Sequence, residues 1–477
     1  MTGVNKEVNR LRPFRLAFVA AIGGFLFGFD LGMIGAANVY LKDQFQLSDS
    51  AFGFATASAV LGCVFGPVLG AWLCDAIGRK KTMLAASLLL ATSAVLTAMP
   101  DALSDGSNDS TMRIFNLFRF VGGVGVGLCS VASPMYIAEI APPKKRGGLG
   151  LMYQLAIVVG HAVAPLIAFG IVYTLRVGYG VADDAVAESA SLQAWRWMFF
   201  SETVCILVFV AFMVGLPSSP RWLAEKGRIA EAEGVLARVY GPEYAKQEIA
   251  QITESLDEER GRWAELLAPG MRFALVVGVL LTFFNNWTGW SVIGGYVPRL
   301  LELAGFSRES AIGNFVAVYG AMGLMTVLSL LLMDRVGRRP LWTFASLMMA
   351  VIMCVMGFFF YYGVSGWPIV IILGLVTIPH GIALGGIPWL MMSELFPTRL
   401  RAKAVSVTTT VLWVFIFSGV YLFPMITGYS EKVMGNLALA FWPFTGICLL
   451  SLLFGLTIMP ETKGRTLEEI GSSWHNK

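Results

Sequence analysis

The chain reads as an all-α integral membrane protein of about twelve spanning helices in two sets of six. Three features carry that expectation. Of its 477 residues 56% are hydrophobic and only 14% charged, with a mean hydropathy of +0.69, too few charges to cover a soluble fold of this size. Runs with at most one charge recur at Thr82–Pro100, Trp197–Leu216, Leu341–Val364, Trp367–Pro379 and Leu437–Met459. Several approach the roughly 20 residues needed to cross a bilayer core. A single long polar stretch, Ser218–Gly270, divides the apolar segments into two groups.

The spans are expected near 14–37, 52–74, 81–100, 112–139, 149–174 and 196–216 in the first half. The second half gives 271–298, 310–333, 341–363, 367–394, 403–427 and 435–459. Residues 1–217 form one half, 218–270 a cytoplasmic connector, 271–460 the other half and 461–477 a tail. The helical runs Ile229–Val239 and Tyr244–Arg260 suggest amphipathic helices lying against the membrane domain. Basic clusters at Gly78–Lys81, Lys144–Arg146, Arg335–Arg339 and Arg399–Lys403 alternate with loops poor in Lys and Arg, such as Asp101–Ser110 and Ala182–Gln193. Basic loops stay inside, so both termini are expected in the cytoplasm and the protein in the cell membrane. The charged start and uninterrupted first span suggest no cleavable leader.

The net charge of +4 is scattered between spans and offers no nucleic-acid face. The six cysteines lie in or beside apolar segments with no metal-ligand spacing, so neither a metal site nor a disulfide framework is expected. No phosphate-binding loop or nucleophile elbow appears. An enzyme is not expected, nor a cofactor.

The two halves repeat each other. Asp75, Gly78 and Arg79 follow the second span, and Asp334, Gly337 and Arg338 follow the eighth. Glu139 with Arg146 follows the fourth span, and Glu394 with Arg401 the tenth. Carboxylates and guanidinium groups at such junctions can lock neighbouring helices by charge-assisted bonds, which suggests a cytoplasmic gate. The alternative is surface charge that only sets topology, and it leaves the duplication unexplained.

With these pairs, the stretch Gly23–Asp30, Arg119 with Gly122–Gly127, Ser133–Glu139, Trp195–Trp197, Pro220–Leu223, Pro388-Trp389 and Pro460–Gly464 resemble the sugar porters of the major facilitator superfamily. The resemblance implies the major facilitator fold, alternating access, and a substrate site between the halves near the midplane. It implies further that Asp30 and Arg119 form the pair that couples transport to protons in symporting members, facilitators lacking that Asp. A carboxylate inside a span is costly unless paired or protonated. A static pair that merely fixes two helices is the other reading.

The stretch FFNNWTGWS at 283–291 falls where sugar porters carry glutamines and an asparagine. The resemblance makes Asn285, Asn286 and Ser291 sugar ligands, with interhelical glue as the alternative role for one amide. Gln154 matches a family glutamine, while His161 stands where another is usual. Met322 and Leu412 replace polar positions, and His380, Trp389 and Trp413 lie on stretches that face the sugar, with Trp287 and Trp290 as further candidate platforms. Such losses argue against an ordinary glucose or xylose site. The usual Glu is missing from Pro217–Arg221, so one salt bridge of the inner lock is expected to be absent, with Glu202 a conjectural substitute. The reading is thus a proton-coupled symporter of a sugar or sugar-like solute, acting as a monomer. A facilitator, an organic-acid carrier and a non-transporting sensor are the alternatives.

Overall fold

The computed structural model describes residues 12–142, 146–178, 192–257 and 263–463. The acidic stretch at 182–191, the basic pair Lys144-Lys145 and the tail beyond 463 lie outside the described residues, as do the side chains of Arg146 and Asp334. The described residues are helical throughout, with no strand. The first half contains α1 (Arg12–Gln44), α2 (Asp49–Ile77), α3 (Arg79–Ala98), α4 (Asn108–Ile140), α5 (Arg146–Gly178) and α6 (Ala194–Val214). Three connector helices follow: α7 (Pro220–Glu225), α8 (Ile229–Tyr240) and α9 (Pro242–Asp257). The second half contains α10 (Met271–Trp287), α11 (Trp290–Ile293), α12 (Val297–Leu303), α13 (Arg308–Val336), α14 (Arg338–Tyr361) and α15 (Trp367–Pro379). It ends with α16 (Ile387–Glu394), α17 (Thr398–Met434) and α18 (Ala438–Thr457).

Eleven of the described helices or helix pairs are long and apolar enough to cross a membrane, and the bent pair Met271–Trp287 with Trp290–Leu303 makes a twelfth. Two expected spans are broken. The seventh bends by 50° after Trp287. Gly289, at φ +127°, turns the chain there, a backbone that L side chains rarely adopt. Ser291 donates its hydroxyl to the Asn285 carbonyl across the break, at 3.2 Å. The tenth carries a π turn at His380–Leu384 between α15 and α16, a distortion that often marks a functional position.

Within the first half α1 packs on α5 and α2 on α4; within the second, α14 packs on α18 and α10 on α17. The halves meet mainly along α2–α17 and α5–α13. Trp72, Leu88, Val204, Leu207 and Val214 are each more than 60% exposed, as a lipid-facing surface requires. The connector lies against the first half. Trp222 donates to the Asp75 carbonyl at 3.1 Å, and Tyr240 donates to that of Ile140.

At the end of the bundle away from the basic junctions, the halves are clasped together. Asp43 on α1 is bonded by Arg308 of α13 and lies 3.8 Å from Arg299 of α12. Glu302 in turn holds both arginines, at 2.9 and 3.1 Å. Deeper in, Asn38 donates to the Gly295 carbonyl at 2.9 Å, and Gly53 leaves no room for a Cβ against the Tyr421 carbonyl. The Asp43 pairs are part-exposed, so their removal is worth at most roughly 1 kcal/mol. Asp43→Asn is therefore expected to enlarge a state opened on this face by up to about fivefold. Spin labels at the exposed residues Ser50 and Ser310, one on each half, should show that longer-distance population grow.

Candidate functional site

The paired sequence motifs become paired structural junctions. Gly78 ends α2 and starts α3 at φ +90°, and Gly337 does the same between α13 and α14 at φ +107°. Both positions need the left-handed region, which explains why each motif carries glycine. Both following arginines turn back onto the previous helix: Arg79 Nη1 bonds the Cys74 carbonyl at 3.0 Å, and Arg338 Nη1 that of Met333 at 3.1 Å. Each then reaches the acid of its second motif, Arg79 to Glu139 at 2.7 Å and Arg338 to Glu394 at 3.2 Å. Asp75 is 3.6 Å from Arg79. Arg401 is half-buried at the start of α17. Each of these pairs joins helices within one half.

The inner lock does not lose a salt bridge, contrary to the expectation from Pro217–Arg221. Glu225, one turn beyond that segment, comes within 3.7 Å of Arg79. Ser219 adds to the lock by donating to Glu139 while its oxygen caps α7 through the Trp222 N–H at 3.3 Å. Glu202 plays no part in the lock, for it lies buried on α6. In the second half Glu461 accepts from the backbone N–H groups of Arg338 and Arg339 at 3.1 and 3.0 Å. Burial pushes its carboxyl up, but these N–H donors, with those of Lys463 and Thr462, outweigh it and hold the pKa below the usual value. A lowered folded pKa means stabilisation present above the ordinary carboxylate range and lost as pH falls through the lowered value.

The membrane interior of the first half holds three ionisable side chains. Arg119 of α4 grips Asp30 of α1 with both terminal nitrogens, Nη2 to Oδ2 at 3.2 Å, and each side chain is 1% exposed. The guanidinium lies 5.0 Å over the Phe199 ring of α6. One turn along α6, Glu202 is 2% exposed, on a helix that packs against α1. Its Oε1 has no hydrogen-bond partner among the described residues. A second buried carboxyl thus lies on the helix that presents Phe199 to the guanidinium. The sequence reading placed Asp30 and Arg119 together but missed Glu202 as their neighbour. Asp30 on α1 and Phe199 with Glu202 on α6 share a packed interface, which no sequence pattern announces.

The residues expected to bind substrate divide into two groups. Asn285 spends its amide N–H groups on the Leu384 and Gly385 carbonyls, at 2.6 and 3.2 Å. It therefore ties α10 to the π turn, as the glue alternative supposed. Asn286 bonds the Thr282 carbonyl of its own helix at 2.8 Å and leaves its buried Oδ1 without a partner. Ser291 braces the helix break. Trp287 stacks on Phe283 and faces Phe444 of α18, away from the other candidate platforms.

The second group forms a chain of rings through the centre. Trp413 of α17 packs on Phe27 of α1 at 5.3 Å, and Phe27 lies 6.4 Å from His161 of α5. His161 stacks on Tyr319 of α13 at 5.4 Å and 8°. Tyr319 meets Trp290 of α11 at 5.3 Å, and Trp290 meets His380 at 6.3 Å. The chain crosses between the halves twice, at Trp413–Phe27 and at His161–Tyr319. Trp413 Nε1 and His380 Nδ1 are buried without partners, as is the Tyr153 hydroxyl two turns before His161. Each such orphan costs about 1–3 kcal/mol unless water or a ligand completes it. Gln154 and Trp389 are only half-buried. Phe27 and Tyr319 were not singled out from the sequence, although Phe315, Tyr319 and Met322 fall on one face of a helix by their spacing.

Fold and site together define a helical membrane protein of two similar halves, with a buried charge cluster on one side of a central aromatic and polar seam. The chain belongs to the "Sugar (and other) transporter" family, whose model matches residues 16–474. It is 35% identical to the arabinose-proton symporter of Bacillus subtilis (strain 168), over 99% of this chain and 98% of that protein. It is 33% identical to the D-xylose-proton symporter of Escherichia coli (strain K12), over 99% and 97% of the two chains. The inward open conformation of the xylose transporter XylE from E. coli superposes with a TM-score of 0.82, at 29% identity, covering 97% of this chain and all of the other.

Ser219→Ala should remove the α7 cap and the Glu139 bond together and destabilise the inner junction by about 1–2 kcal/mol. Thermal unfolding in detergent should show a lower midpoint, whereas Ser219→Thr should recover most of the loss.

Proposed function

We propose that the protein is a secondary transporter that carries a sugar inward together with a proton, by alternating access between its two halves. The observation that carries this reading is the Asp30–Arg119 pair, buried at 1% exposure with Glu202 beside it. A buried ion pair is weak evidence for stability, and an acid inside a membrane span marks a functional path. The full-length similarity to two sugar-proton symporters supports the same chemistry.

The mechanism follows from charge balance. With Asp30 ionised, its carboxylate holds Arg119 and fixes α1 against α4. A proton on Asp30 neutralises the carboxylate and weakens the bidentate grip, leaving Arg119 to Glu202 and the Phe199 face. The preferred packing of α1 changes with its partner. Because α1 also carries Phe27 of the ring chain and Asp43 of the clasp, the change reaches both the substrate site and the closed face.

The basic junctions face the cytoplasm in this reading, by the bias of Lys and Arg. Both termini are then inside, the membrane is the cell membrane, and the clasped face is the outer one. The junctions at Asp75, Arg79, Glu139 and Arg146 and at Asp334, Arg338, Glu394 and Arg401 keep each half rigid on the inner side. Residues 1–217 and 271–460 are the moving bodies, and 218–270 and 461–477 brace them from within. Gln154, His161, His380, Trp389 and Trp413 contact the sugar, Asn285, Asn286 and Ser291 shape the break beside it, and the transporter works as a monomer without a resident cofactor.

Purified protein in liposomes should accumulate a labelled sugar when the inside is made alkaline. Asp30→Asn should abolish accumulation against a gradient, by at least about tenfold, while leaving exchange of sugar across the membrane. Sugar equilibration that ignores the proton gradient in the wild type would make the protein a facilitator and the pair structural. Accumulation of organic acids alone would exclude a sugar substrate, and binding without any flux would make it a sensor.

A further inference from the structure

Resting on the reading of a sugar transporter, we propose that Tyr319 and Trp290, with His161 and His380, form a wall that selects a pyranose whose sixth carbon is a methyl group, a 6-deoxyhexose. The first ground is what the ring chain offers for hydrogen bonding. His161 Nδ1 lies 3.0 Å from the Ile157 carbonyl, so that nitrogen carries the proton and only Nε2 is left, as an acceptor. A glutamine there would present a donor and an acceptor. One face of the imidazole is covered by Tyr319. Beyond it the wall continues as Trp290, 3% exposed, and His380, 6% exposed.

The second ground is what lies beside the rings. Met322 follows Tyr319 by one helical turn, and Leu412 is fully buried next to Trp413. Leu412 offers no polar atom and Met322 only a weakly accepting thioether. Among the described residues the buried polar atoms without a protein partner include Trp413 Nε1, His380 Nδ1, Asn286 Oδ1 and the Tyr153 hydroxyl, while Asn285 has its N–H groups engaged elsewhere. A hydroxyl brought against the ring faces of Tyr319 and Trp290 and the Met322 and Leu412 side chains loses its water without a full replacement. A methyl group gains by leaving water, and aromatic faces suit the C–H edge of a sugar ring. The polar end of the same sugar can meet Gln154 and the indole N–H of Trp413.

The halves meet at this wall, so its fit also bears on transport. His161 and Tyr319 come from different halves, and their stack must part for the clasped face to open. A ligand apolar on that side can replace the stacking contact as it is lost, whereas a hydroxyl cannot.

The test uses matched sugars and the intact protein in liposomes. Uptake of D-fucose against D-galactose, L-rhamnose against L-mannose, and 6-deoxy-D-glucose against D-glucose isolates the single oxygen. The 6-deoxy member should be favoured in kcat/KM by on the order of 10- to 100-fold in at least one pair. D-Xylose, which lacks the carbon altogether, should fall below 6-deoxy-D-glucose. The variant His161→Gln with Met322→Asn should shrink the preference, with direct binding followed by tryptophan fluorescence in case its flux is low. A 6-hydroxy sugar equal or preferred in every pair overturns the wall's role, as does xylose ahead of 6-deoxy-D-glucose. Failure of every carbohydrate to bind or move removes the sugar reading itself, a different result from the preceding ones.

Discussion

A guanidinium and two carboxyls buried in the apolar centre of one half constrain everything around them. Arg119 cannot lose its charge, and moving it into lipid would be prohibitive, so α1, α4 and α6 must close over it. Their closure is visible in the near-zero exposure of Asp30 and Arg119 and in the Phe199 ring beneath the guanidinium. The two-armed grip of Arg119 on Asp30 ties α1 to α4.

The bonds within each half differ in kind from those across the seam. On the basic side each half is knotted by an arginine that bonds the preceding helix, an acid from a distant one and a neighbouring cap. Across the seam the contacts are fewer in kind: a stacked imidazole and phenol, close backbone approaches at Gly53, and a part-exposed clasp at Asp43. Contacts of this sort are individually weak, near or below about 1 kcal/mol for an exposed ion pair. They suit an interface that opens repeatedly.

Much of this was legible in the sequence. Span number, the polar connector and the duplicated junctions rest on local patterns, and Asp30 and Arg119 stand out as charges in apolar helices, their pairing being implied by the resemblance to sugar porters. What was not legible depends on distant partners. The missing Glu near Pro220 suggested a weakened lock, yet Glu225 enters from the next helical turn and restores it. Asn285 read as a sugar ligand, whereas its N–H groups meet two carbonyls freed by a π turn nearly a hundred residues away. Glu202 sits at the charge cluster because α6 crosses α1, and Tyr319 reaches His161 because α13 crosses α5. Helical periodicity states which side chains share a face but not which helix that face meets.

The central claim is that Asp30 binds the transported proton and releases Arg119 when it does. Infrared difference spectroscopy of the membrane-reconstituted protein, stepped from alkaline to acid pH, reads carboxyl protonation directly. The account predicts a carbonyl band of a protonated, buried carboxylic acid that grows on acidification, disappears in Asp30→Asn and shifts when sugar is added. A band unchanged by that substitution, or no buried carboxyl titrating at all while uphill transport persists, would contradict it.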